Sequence, residues 1–150
     1  MQELIGHNNK KYAEKAIAYC KELLMNEEEI KVIGVQKHPI FNFSPDSIVL
    51  TNKRVLVVKP SFFGLKMSFA DFLWTDVKDF HIKEELFGGV FMFKLMTGRT
   101  VHLDYIPKKQ NRMLYSYAQE IEAEIEAMRK QIAIERDEKI LDKTRFVNHV

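Results

Sequence analysis

The 150-residue chain holds 23 Lys+Arg against 21 Asp+Glu, a formal net charge of +2, with 46% apolar and 29% charged residues. This is the composition of a folded domain, and the single Cys20 excludes a disulfide framework or a Cys-rich zinc site. No run approaches the roughly 18 apolar residues of a membrane span, and Met1–Met25 is too densely charged for a signal peptide. The near-neutral balance speaks against a dedicated nucleic-acid binder, so the expectation is a cytoplasmic, single-domain protein.

The chain opens with an amphipathic helix over Lys10–Met25, with Tyr12, Ala13, Ala16, Ile17, Cys20, Leu23 and Leu24 at helical spacing on one stripe. Asn9 is the expected N-cap and Asn26 the C-terminal stop. Residues 1–29 form the first unit; their four Lys against six Glu disfavour a basic membrane-surface helix.

From Ile30 to Ile106 the pattern becomes short β-rich segments: Ile30–Gln36, Ser47–Thr51, Arg54–Lys59, Lys66–Phe72, Lys78–Glu84, Val90–Met96 and Arg99–Tyr105. Turn signals such as Pro45-Asp46, Asn52-Lys53, Gly88-Gly89 and Thr97-Gly98 separate them, several at hairpin length, so the strands are antiparallel. Helical period returns at Lys108 behind Pro107. Leu114, Ala118, Ile121, Ile125, Met128 and Ile132 are spaced 4, 3, 4, 3, 4, a heptad seam. Residues 30–134 form the second unit and 135–150 a charged tail.

Seven antiparallel strands and one long helix, carrying Val49-Leu50-Thr51-Asn52-Lys53-Arg54-Val55, resemble the bacterial pleckstrin-homology (PH-like) family, closest to its YokE-like members. The Asp71–Val77 stretch, the Thr97-Gly98-Arg99 hairpin and Tyr105-Ile106-Pro107-Lys108-Lys109 extend the resemblance over about Asn26 to Arg129. It implies a PH-like barrel, mainly β with α, bearing an extra N-terminal helix, and it is associated with oligomeric rings. Two features depart from the family. The only Trp, Trp74, lies between strands, and the first hairpin carries Lys37 alone among Ile40, Phe41 and Phe43 rather than several cations. A phosphate cradle needs several charge-assisted donors converging on one anion.

No catalytic motif is present, and no metal or cofactor is expected. Cys20 lies on an apolar helix stripe, where packing outweighs a nucleophilic role. Asp79 with His81, and His102 with Asp104, form pairs separated by an intervening strand, roughly 10 Å apart and too far for one ion. Lys37, Lys53 and Arg54 are candidate anion contacts, against the alternative of ordinary hairpin chemistry. The apolar loop residues Ile40, Phe41, Phe43, Phe62 and Phe63 fold back to close the barrel, meet a protein partner, or enter a membrane.

Two strands are apolar on both faces: Leu56 and Val58 oppose Val55 and Val57, while Val90, Met92 and Met96 oppose Phe91, Phe93 and Leu95. A strand with one wet face should alternate, so something covers these outer faces, and the N-terminal helix suffices for one. The sequence thus reads as a non-enzymatic module. It self-associates through Leu56, Val58, Met92, Met96, Met128 and Ile132, or, alternatively, binds a membrane surface peripherally through its aromatic loops. An unidentified protein partner is expected; a nucleic acid is not.

Overall fold

The computed structural model describes residues 9–61 and 64–149. The chain runs α1 (Lys10–Lys21), β1 (Ile30–Val35), β2 (Ser47–Thr51), β3 (Arg54–Ser61) and β4 (Lys66–Leu73). A 3-10 turn at Trp74–Asp76 leads to β5 (Val77–Glu85), β6 (Gly88–Leu95), β7 (Thr100–Ile106) and α2 (Lys108–Asn148). The strands form two antiparallel sheets, β1-β2-β3-β4 and β5-β6-β7, each in chain order.

Period-2 alternation divides the apolar residues between two cores. Val55 and Val57 point between the sheets with Ile48, Leu50, Phe91, Phe93 and Leu95, and α2 closes this core with Leu114, Ala118 and Ile121. Phe93 is 1% exposed and packs edge-on against Phe72 at 5.2 Å. Trp74, on the connection between the sheets, meets Phe80 and Tyr117 at 5.5 and 6.4 Å and donates its indole N–H to the Thr51 carbonyl at 2.8 Å. The other faces of β1, β2 and β3 form a second core, in which Ile33, Val35, Val49, Leu56 and Val58 pack against Ala13, Ala16 and Cys20 of α1.

The expected architecture of antiparallel strands followed by a long helix is present, and two local expectations need revision. Helix α1 stops at Lys21, short of Met25, because residues 22–29 leave the helix to reach the β2–β3 hairpin. Asn9 does not cap α1 with its side chain; its amide donates to the Gln36 carbonyl and accepts from Asn42 instead. The charged stretch after Ile134 is helical, so α2 runs to Asn148, 41 residues in all.

The β6–β7 register shifts between Gly89 and Phe91, where Asp104 and Tyr105 of β7 face Val90 alone. There buried Asn111 of α2 turns its amide toward the carbonyls of Val90 and Lys83, at 3.2 and 3.4 Å. A Cβ on Gly89 would lie 2.3 Å from that amide nitrogen and 2.9 Å from the Lys83 carbonyl, so any larger residue there must push Asn111 aside.

Candidate functional site

The Thr51–Arg54 hairpin is turned inward. The Arg54 guanidinium grips both oxygens of Glu28 at 2.9 and 3.1 Å, Asp71 at 2.8 Å and the Leu23 carbonyl at 2.7 Å. Glu28 also accepts from the Thr51 hydroxyl at 2.8 Å and the Met25 N–H at 2.7 Å. Burial alone would raise the Glu28 pKa, but Arg54 and these two donors hold it below the usual carboxylate range. Asn52 exchanges hydrogen bonds with the backbone of Glu29 and Glu27, and Lys53 Nζ donates to the Asn26 carbonyl. The hairpin is therefore a receptor for residues 23–29 of its own chain. Arg54, expected as an anion contact, is buried and neutralised; Lys53 is committed to Asn26.

Leu56 and Val58 also depart from expectation. Both are fully buried under α1, so the apolar outer face of β3 has its cover within the chain and offers no surface to another subunit. On β6, Met92 is half-buried between His81 and His102, its register partners on β5 and β7, and Lys94 follows on the same face. That face carries Val90 and Met92 among polar side chains. Met96, Met128 and Ile132 are exposed.

The described apolar residues of the β1–β2 loop do not close the barrel. Ile40, Phe41 and Phe43 are 82%, 72% and 69% exposed, with the two phenylalanine rings stacked at 6.1 Å. Phe62 and Phe63 lie outside the described residues. Three exposed side chains that the sequence reading passes over, Leu65, Leu86 and Phe87, belong with them. Tyr105 carries the ring of His38 at 4.8 Å and lines a cleft with Leu86 and Phe87. Phe43 and Gly64 share a cavity of about 130 Å³ with Lys11, Tyr12 and Lys15. The β1–β2, β3–β4 and β5–β6 connections thus form one apolar rim, and Lys37 joins its base through its N–H to the Tyr105 carbonyl.

The cavity behind this rim is closed on one side by Lys15, whose ammonium donates to the Gly64 carbonyl at 2.7 Å. Among the described residues no group of three or more His, Cys, Asp or Glu could hold a metal ion, and Asp79 and His81 meet only each other at 3.7 Å. Burial pushes the Cys20 thiol up to about 11, so it carries its proton at neutral pH. Among the described residues no helix is long and apolar enough to cross a membrane.

The remaining surface is the far half of α2. Its last buried residue is Ile121, Ile125 packs on the edge of the core, and Arg129 makes a long contact to the Thr75 carbonyl at 3.5 Å. Beyond that, Ile134, Ile140, Leu141, Phe146 and Val147 join Met128 and Ile132 as exposed apolar side chains.

The bacterial PH domain family matches residues 24–120, from the segment held by Arg54 to the last turns of α2 over the barrel. No curated protein matches the chain. The pleckstrin homology (PH) domain of USP37 is similar at 14% identity, over 63% of this chain and 94% of its own, with a TM-score of 0.39. With two antiparallel sheets closed by a C-terminal helix and a family match over most of its length, this chain belongs to the bacterial PH domain family.

Proposed function

We propose that this protein is a non-enzymatic assembly module, a PH barrel that self-associates through the exposed half of α2. The observation that carries this reading is the helix itself. From Ile125 to Asn148 it extends roughly 35 Å at 1.5 Å per residue, with its apolar side chains in water. Isolated helices are marginal in water, and most helical stability comes from packing an amphipathic face. A partner for that face supplies what the barrel does not. Sedimentation velocity of the full chain against a chain ending at Ala127 tests this. The full chain should gain mass with concentration while the shortened one stays a folded monomer. A full chain that is monomeric at tens of micromolar overturns the reading.

A second reading, peripheral membrane binding, is favoured by the exposed rim of Ile40, Phe41, Phe43, Leu65, Leu86 and Phe87. It predicts flotation with anionic vesicles that weakens as salt rises and is lost in Phe41→Ser/Phe43→Ser. Absence of flotation at low salt removes it.

A further inference from the structure

The charges of α2 are segregated along its length. From Met113 to Met128 there are four glutamates (Glu120, Glu122, Glu124 and Glu126) and no Lys or Arg. From Lys139 to His149, three cations (Lys139, Lys143 and Arg145) face one anion, Asp142. The stretch between is balanced. The helix macrodipole accounts for Arg145 in the last turn. It does not account for the glutamates, which begin more than three turns from the N-terminus, where its influence has faded.

The apolar stripe runs through both charged regions. At 3.6 residues per turn, Met128, Ile132, Ile140, Phe146 and Val147 all fall within roughly 60° of Ile125. Beside the acidic region lies a groove of about 260 Å³ between α2 and the corner of the barrel, lined by Trp74, Phe80, Ile121, Glu122 and Ile125 among others. Ile132, Arg136, Lys139, Ile140 and Lys143, with Glu135, line another along the basic region.

Building on the self-association proposed above, we infer that two copies of this chain pair antiparallel along residues 122–148 of α2, the acidic stretch of each against the basic end of the other. A two-fold axis makes one surface self-complementary. The antiparallel sense brings Phe146 and Val147 of one copy to the Trp74 groove of the other. The parallel sense sets glutamate against glutamate and lysine against lysine. A second copy therefore supplies both the apolar and the charge complement that this helix lacks.

Charge reversal tests the pairing in the full chain, read by sedimentation velocity across concentration and by circular dichroism for folding. The altered positions are exposed. Glu122→Lys/Glu124→Lys should weaken the dimer about tenfold, since the symmetry counts each altered contact twice. Lys143→Glu, which falls opposite residue 127 of the other copy, should weaken it severalfold. Carrying all three changes in one chain should recover most of the lost affinity. Single reversals that leave the mass unchanged, or a combined variant as weak as either, overturn the antiparallel arrangement while leaving self-association standing. A wild-type chain that is monomeric throughout removes both.

Discussion

Arg54 and Glu28 form a two-pronged ion pair, Nε to Oε1 at 2.9 Å and Nη2 to Oε2 at 3.1 Å, with side chains 9% and 0% exposed. It joins the start of β3 to the segment that follows α1, so the N-terminal helix and the barrel share one electrostatic anchor. Removing one member of such a pair leaves a buried charge uncompensated. Arg54→Ala should cost about 3 kcal/mol or more, measured by urea denaturation. Arg54→Lys should recover only part, because an ammonium cannot grip both oxygens of Glu28 and also reach Asp71 and the Leu23 carbonyl.

The same pair sets an acid limit on stability. The folded-state pKa of Glu28 is lowered, so its contribution is fully present above the ordinary glutamate pKa. That contribution is lost as pH falls through the folded value. The midpoint temperature of the wild-type chain should therefore drop below about pH 4 more steeply than that of Glu28→Gln. Parallel curves for the two proteins between pH 7 and pH 3 would assign the acid sensitivity elsewhere.

Neighbouring residues of β6 should respond in opposite ways. Phe93 lies within the barrel, where Phe→Ala typically costs ~3–5 kcal/mol. Met92 lies on the outer face between two histidines, and Met92→Gln should stay within about 1 kcal/mol of wild type. Comparable losses for both by chemical denaturation would mean that the two faces are misassigned.

Gly89 marks the crossing of β6 under α2. The Cβ of Gly89→Ala would press on the Asn111 amide at 2.3 Å and on the Lys83 carbonyl at 2.9 Å. Overpacking of this kind costs ~1–3 kcal/mol, whereas Gly98→Ala meets no atom within 4 Å and strains only its positive φ of 92°. Thermal unfolding should rank Gly89→Ala well below Gly98→Ala.

Removing α1 should expose an apolar sheet face. A chain beginning at Glu22 leaves Ile33, Val35, Val49, Leu56 and Val58 without the helix that buries them. It should bind a hydrophobic dye and sediment as heterogeneous aggregates. A dye-silent monomer would show that α1 is dispensable to this face.

The strands and the turn to helix at Lys108 are legible because they rest on local periodicity. Alternation along β3 and β6 identifies the inward residues, and the two-sided apolar pattern of Leu56 and Val58 signals a cover. That the cover is α1 follows from packing between residues about forty positions apart, which no period relates. Arg54 misleads for a similar reason: a basic residue beside a turn looks the same whether its partner is a ligand or Glu28, 26 positions earlier. Leu65 and the Leu86-Phe87 pair stand in short turns, and only the folding of three connections to one edge groups them with Phe41 and Phe43. The extent of α2 is obscured by Glu135–Lys139, five consecutive charged residues that interrupt the stripe without breaking the helix.

Lys15 and the Gly64 carbonyl it contacts give the β3–β4 connection a tether on α1, forty-nine positions away. Loosening the helix would therefore release that connection and open the cavity beside Phe43 in one movement. The rim and the N-terminal segment are in this sense mechanically ganged.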